Sequence, residues 1–226
     1  MDEPPNPPVV VAIRHESKGR QLLLRLSDGR ELVYSEEACK RGGVAIGNTV
    51  DEDWLAALDG AEQRVNAHEA ALRLLSHRAR SETEMRTRLQ MRGFEPAAVD
   101  DEVERLRNAG LLNDEAFARA WVEDRKRLAP RGRRMLRYEL LGRGISVGSV
   151  DSVTDTIDDE ATALTLARQR ARGSALESWD AFVTRVGGFL RRRGFDWEVV
   201  NRSVRTVWTE STGQAPGRSP EGPTDE

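Results

Sequence analysis

Apolar residues recur with two different periods along this chain, and the change between them falls near residue 60. Between Val9 and Tyr34, short apolar runs are broken by turn residues, which predicts strands rather than helices. Val9-Val10-Val11-Ala12-Ile13 leads to a Ser17-Lys18-Gly19 turn, Gln21–Leu26 leads to Asp28-Gly29, and Leu32-Val33-Tyr34 closes a third strand. Asp28-Gly29 predicts a type I′ hairpin, because both central residues of that turn need φ > 0. A short acidic helix (Ser35 to Lys40), a Gly42-Gly43 break and a helix starting near Thr49 or Asp51 follow, the last carrying Trp54, Leu55 and Leu58. Residues 9–60 are therefore expected to form a small β-rich segment with short helices, marginal on its own at roughly 50 residues.

From about Ala61 onward the spacing is helical, and it repeats. Gly93, Gly144 and Gly194 lie 51 and 50 residues apart. Four residues before each is a leucine (Leu89, Leu140, Leu190), and eight before is Met85, Leu136 or Val186. An arginine precedes each glycine (Arg92, Arg143, Arg193) and Phe94, Ile145 or Phe195 follows it. Six residues beyond is always valine (Val99, Val150, Val200), and thirteen beyond is Leu106, Ile157 or Val207. The pattern predicts a helix stopped by a left-handed glycine, where a Cβ would be penalised, with the next residue packing back on it. Glu95 before Pro96, Ser146 and Asp196 are placed to cap the next helix, and an upstream helix (about Val65–His77, Asp114–Leu128 and Asp158–Arg172) completes each unit. The expected fold is mainly α: three tandem three-helix repeats at 61–111, 112–157 and 158–210 forming a curved solenoid, preceded by the β-rich segment. Residues 1–8 and 211–226 lack an apolar face and are expected to be disordered.

The chain has 226 residues, 38 Asp plus Glu, 35 Lys plus Arg, and a formal charge of −3. That near-neutral value hides a partition: residues 1–64 sum to −4, residues 65–210 to +3 and residues 211–226 to −2. Apolar stretches fall far short of the roughly 18 residues of a membrane span, and the acidic, Pro-rich start does not read as a secretory signal. The single cysteine, Cys39, precludes an intramolecular disulfide framework and fits a reducing, cytoplasmic setting. His15, His68 and His77 have no metal-ligand spacing, and no phosphate-binding loop or zinc motif is present. Gly142-Arg143-Gly144 follows a helix rather than a strand, so it reads as a helix end and not a dinucleotide loop. No catalysis, metal or cofactor is expected. Trp121 and Trp208 fall on helical apolar stripes and are expected in the core. Gly187-Gly188 lies within a predicted helix, at a cost of about 1 kcal/mol each against Ala, and close helix approach would explain the pair.

The candidate chemistry is basic. Between Arg125 and Arg143 stand Arg125, Lys126, Arg127, Arg131, Arg133, Arg134, Arg137 and Arg143 against one acid, Glu139, so most of these charges should be uncompensated within the helix. With Leu136 and Leu140 facing the core, Arg131, Arg134, Tyr138 and Leu141 point outward, Arg137 lies on the flank, and Arg133 lies near the core edge. Guanidinium groups on such a face suit phosphate or carboxylate. Arg191, Arg192 and Arg193, with Phe195 and Trp197, form a lesser patch at the same place in the third repeat.

The stretch from Leu111 to Val122, followed by Arg131 to Ile145, closely resembles the central repeat of the RecX family, and Phe189 to Phe195 resembles its third. The resemblance covers about residues 65–210. It implies a non-enzymatic modulator of the RecA recombinase, lodged in the groove of the RecA–single-stranded DNA filament, where it inhibits ATP hydrolysis and strand exchange in DNA repair and recombination. A curved solenoid could span several filament subunits, its arginines meeting acidic RecA surface or DNA phosphates. Acidic flanks would favour the nucleoprotein filament over naked DNA, and the lone Cys and acidic ends suggest a monomer. The alternative is a helical transcription regulator that reads duplex DNA through Arg131–Arg143, although that helix offers few Asn, Gln or Ser side chains to read base edges.

Overall fold

The computed structural model of the chain describes residues 6–16, 19–172 and 178–217. The expected disorder of residues 1–5 and 218–226, and positions 17 and 18 of the first turn, lie outside the described residues. Two compact units divide at Leu112/Asn113.

The first unit opens with β1 (Val10–His15), β2 (Gln21–Leu26) and β3 (Glu31–Ser35), an antiparallel sheet in that order. Leu24 and Leu26 point inward from β2 and are buried with Val10, Tyr34 and Val50. The hairpin differs from the type I′ expectation. Gly29 has φ +89°, but among the described residues no non-glycine residue has positive φ, so Asp28 is not left-handed. Gly29 N–H donates to the Leu26 carbonyl and Leu26 N–H to that of Arg30, which makes a three-residue loop with glycine in the left-handed position. The Asp28 carboxylate instead accepts from Arg30 N and Nε at 3.0 and 2.7 Å.

Ser35 caps α1 (Glu36–Arg41), and Asp51 caps α2 (Glu52–His77) by accepting from Trp54 N–H. Where the sequence suggests one helix near 51–58 and another from Val65, α2 is a single 26-residue helix. Gly60 has only the Arg64 side chain near its absent Cβ and does not interrupt the helix. Its first half is bolted to the sheet by two acids. Asp59 accepts from Tyr34 Oη at 2.5 Å, and Glu62 accepts from both Ser35 N and Oγ at 2.8 and 2.6 Å. Its second half packs with α3 (Glu82–Gln90) and α4 (Pro96–Asn108) around Leu74, Met85, Leu89, Val99, Val103 and Leu106.

The second unit contains two more such bundles. α5 (Asp114–Leu128), α6 (Arg133–Leu141) and α7 (Val147–Thr154) enclose Phe117, Val122, Leu136, Leu140, Ile145 and Val150. α8 (Asp159–Ala171), α9 (Trp179–Phe182), a π-helical turn (Val183–Gly187), α10 (Gly188–Arg192) and α11 (Trp197–Thr212) enclose Leu166, Phe182, Leu190, Phe195, Val204 and Trp208. α11 continues two residues past 210 before Gly213 ends it at φ +69°.

The repeat seen in sequence has one physical meaning in all three bundles. Gly93, Gly144 and Gly194 have φ of +83°, +76° and +83°. The residue after each glycine donates back to the carbonyl of Leu89, Leu140 or Leu190. That bond satisfies a helix-end carbonyl and folds Phe94, Ile145 or Phe195 against the helix just ended. Each of those leucines is completely buried, so truncation to alanine should cost about 2–5 kcal/mol. The caps are less uniform. Ser146 accepts from Ser149 N–H, whereas Glu95 and Asp196 occupy the cap position without a side-chain bond.

Close helix approach does not explain Gly187. A Cβ there would stand 3.6 and 3.7 Å from Val200 and Val204, an ordinary contact. The two glycines cost a helix about 1 kcal/mol each against alanine, and packing does not require Gly187. Close approach occurs instead between Gly132 and Gly194. A Cβ on Gly132 would lie 2.7 Å from Phe195 N, and one on Gly194 would lie 2.6 Å from Met135 N. Gly132 N–H donates to the Arg193 carbonyl at 2.9 Å across this seam.

Candidate functional site

The basic segment spans the end of α5, the turn at Ala129–Gly132 and all of α6. α6 begins at Gly132, which has no side chain to cap it. Its first N–H, that of Arg133, is caught by the Asp159 carboxylate of α8 at 3.0 and 3.1 Å. Burial pushes the Asp159 carboxyl above the usual aspartate value, against the lowering effect of that bond. The Arg133 guanidinium in turn donates to the Ile157 carbonyl at 3.1 Å, just beyond α7. Its place near the core edge thus serves the backbone.

The expectation of largely uncompensated charge is corrected by the structure. Arg125 and Arg131 each lie 2.8 Å from Glu139, which is only 13% exposed. Arg137 pairs with Asp151 of α7, and Arg133 lies 3.9 Å from Asp155. Lys126 and Arg127 pair with Glu123 and Asp124 one turn back in α5. Glu139 is the acid within the run, but Asp151 and Asp155 come from α7 and its end, and Glu123 and Asp124 from just upstream of Arg125, so a count confined to Arg125–Arg143 misses those four. The Lys126 and Arg127 pairs are well exposed and weak.

Trp121 departs from its expected place in the core. It is half-buried and stacked on Phe117, with the guanidinium carbons of Arg125 and Arg143 at 4.3 and 3.8 Å from the indole. Its Nε1 donates to Glu139 at 2.8 Å. Glu139 therefore ties together Trp121, Arg125 and Arg131, and Arg143 is spent on the ring. Only Trp208 lies in the core as expected, edge-on to Trp179 and Phe182.

What remains outward on α6 is Arg134, Tyr138 and Leu141. Tyr138 is 75% exposed and Leu141 41%, and exposed Arg134 has no ion pair or hydrogen bond among the described residues. In the third bundle the arginine run divides similarly. Arg193 lies 4.0 Å over Phe189, and burial holds its guanidinium below the usual arginine value. Phe195 is core rather than surface. Arg191 and Arg192 are exposed, near half-buried Trp197.

Three other titratable groups sit within the first unit. His68 Nδ1 lies 2.9 Å from the buried Glu102 carboxylate, His77 ends α2, and burial raises the Cys39 thiol. Among the described residues no group of three or more His, Cys, Asp or Glu is placed to hold a metal ion, and no helix is long and apolar enough to cross a membrane.

Three helical bundles built on one repeat, with stacked and paired arginines on their surfaces, define a helical-repeat protein. Comparison with known proteins narrows the class. Residues 67–106 match the first three-helix domain of RecX and residues 113–151 match its second. The chain is 34% identical over 143 residues to the regulatory protein RecX of Chlorobium phaeobacteroides, covering 63% of this chain and 93% of that one. It is 34% identical to that of Corynebacterium efficiens, covering 61% and 69% respectively. A crystal structure of regulatory protein RecX superposes with a TM-score of 0.71 at 20% identity, over 86% of this chain and 97% of the other, a likeness of fold. The chain belongs to the RecX family of regulatory proteins.

Proposed function

We propose that this protein is a negative regulator of RecA that binds in the groove of the RecA–single-stranded DNA filament. There it inhibits ATP hydrolysis and strand exchange, and so modulates DNA repair and recombination as a cytoplasmic monomer without catalysis of its own. Family membership supports the general role. The observation that carries the surface assignment is the outward face of α6, where Arg134 is left without a carboxylate among the described residues, beside exposed Tyr138 and Leu141. A cation, a phenol and an aliphatic side chain on one short rigid helix suit a protein surface with an acidic rim better than bare phosphate. Arg125, Arg131, Arg133 and Arg137 already have carboxylate partners. In this reading they build and orient the face, and Arg134 and Tyr138 contact the filament. The three modules at 61–111, 112–157 and 158–210 are the units of this arrangement.

The test is RecA ATPase activity on single-stranded DNA with the full-length protein titrated in. Inhibition at less than one molecule per RecA is expected, and R134E should raise the half-inhibitory concentration about tenfold or more, as loss of an interface hot spot does. No inhibition at excess protein would reject the reading. Sequence-selective duplex binding without any effect on RecA would favour a transcription regulator instead.

A further inference from the structure

A cavity of about 310 Å³ opens beside the π-helical turn of the third bundle, wholly within the unit that begins at Asn113. Burial grades its lining. Gly187 and Val200 are buried, Trp197 and Gly188 are half-buried, and Arg191 and Arg192 are exposed.

Three independent features give this cavity a chemistry. Its space comes from missing side chains. A Cβ on Gly187 would make only ordinary contacts, and one on Gly188 would meet nothing but the flexible end of Arg192, at 3.3 Å. Helix packing does not demand the glycine pair, and both glycines line the cavity. Secondly, Arg191 and Arg192 have no carboxylate partner among the described residues, unlike Arg125, Arg131, Arg133 and Arg137. Thirdly, the indole of Trp197 has no stacked ring and no guanidinium over it among the described residues. Trp121 is flanked by two arginines, and Trp208 is buried against Trp179 and Phe182.

A half-buried indole that lines the same cavity as two guanidiniums without carboxylate partners among the described residues is complementary to a ligand that carries a flat π-surface and an anion together. Aromatic rings stack any base without regard to sequence, and paired guanidiniums hold phosphate through parallel N–H donors. A π-helical turn is also a frequent mark of a functional position, and the volume lies at the lower end of the range for small-ligand sites. We propose that this cavity is a nucleotide pocket, in which a base lies against Trp197 over the glycine pair and the adjoining phosphate is held by Arg191 and Arg192. The pocket is distinct from the α6 face and requires no RecA, so it stands or falls apart from the regulatory reading.

The experiment is fluorescence anisotropy of a short fluorescein-labelled oligo(dT) with the full-length protein at low salt. The competitors are unlabelled oligo(dT), dTMP, and an abasic oligomer with the same number of phosphates. W197A should weaken oligo(dT) binding about tenfold or more, the usual effect of losing one stacked base, and W197F should weaken it much less. R191Q and R192Q should each weaken binding and flatten its salt dependence. G188L adds a strong helix former that fills the cavity, so it should reproduce the W197A loss with helix content unchanged. The abasic oligomer should bind at least tenfold more weakly than oligo(dT) and be indifferent to W197A. Displacement by dTMP would assign the pocket to free nucleotides, and displacement by oligo(dT) alone would assign it to a strand. Either supports the pocket. Equal affinity for abasic and dT oligomers, wild-type binding by both W197F and G188L together with W197A, or no binding at all would overturn it. Should circular dichroism show W197A unfolded, G188L and R192Q decide the matter.

Discussion

Replacing Gly132 by alanine should destabilise the protein although the backbone at Gly132 asks for no glycine. Its φ of −72° and ψ of 158° are open to any residue. The whole penalty is steric: the new Cβ would stand 2.6 Å from the Gly194 carbonyl carbon and 2.7 Å from Phe195 N, backbone atoms that cannot rotate away. Overpacking of that kind costs about 1–3 kcal/mol. Gly93 is the complementary control. It has φ +83° with nothing within 4 Å of its absent Cβ, so G93A is purely conformational and should cost about 1 kcal/mol. Gly194 combines both conditions, with φ +83° and Met135 N at 2.6 Å from its absent Cβ, so G194A should cost about 2–4 kcal/mol. Urea denaturation of the full chain, followed by far-ultraviolet circular dichroism, measures all three. G132A and G194A disturb one seam, so the double variant should lose less than the sum of the two. Loss of hydrogen-exchange protection at the Gly132 amide, which donates to Arg193 across the seam, should accompany either change. G132A indistinguishable from wild type, or G194A no worse than G93A, would refute the seam.

Three further outcomes follow from the paired arginines. R134E should leave the melting temperature unchanged, whereas R137E places a like charge beside Asp151 and should cost about 1 kcal/mol; equal melting of the two would deny the Arg137–Asp151 pair. E139A removes the shared acceptor of Trp121, Arg125 and Arg131. It should cost about 2 kcal/mol and alter tryptophan emission, and an unchanged spectrum would contradict the Trp121 bond. The Arg107 hydrogen bonds hold the Glu82 carboxyl below the usual glutamate range. A carboxylate whose folded pKa is depressed contributes stability above its unfolded pKa and loses it as pH falls through the folded value. Melting temperature should therefore fall less steeply between about pH 5 and pH 3 in E82Q than in wild type; parallel profiles would remove Glu82 from the acid response.

The helical repeat was legible in the sequence because its constraints are local in chain order. A left-handed glycine, a leucine four residues before it and a valine six after are fixed by one helix end and the next helix start, and these positions are the buried ones. The hairpin turn type is not legible from Asp-Gly, which serves two turn types, and the Arg30 bonds to Asp28 belong to the observed one. α2 read as two helices because its apolar stripe changes partners midway, from the sheet to α3 and α4, without any break in the backbone. The seam between Gly132 and Gly194 joins residues far apart in sequence and carries no local signal, since Gly132 sits in an ordinary extended conformation.

Charge was the least legible property, for a reason that bears on function. An arginine run read along the chain suggests a cationic stripe, but helix packing brings Asp151, Asp155 and Asp159 against α6 from α7 and α8. The same packing spends Arg143 on Trp121 and Arg193 on Phe189. Most of the charge in these two runs is thus consumed in positioning the helices, and the exposed cations left without carboxylates among the described residues are Arg134, Arg191 and Arg192. So sparse a set makes a weak footprint for phosphate alone, whose attraction grows with the number of contacts neutralised. Each remaining cation instead stands beside an aromatic residue, Arg134 near Tyr138 along α6 and Arg191 and Arg192 around the cavity that Trp197 lines. Recognition built this way depends on a shaped partner that offers charge and an apolar or π surface together. Salt alone should therefore weaken binding by this protein less than substitution of Tyr138 or Trp197 does, and a binding constant that tracks only ionic strength would show the aromatic residues to be bystanders.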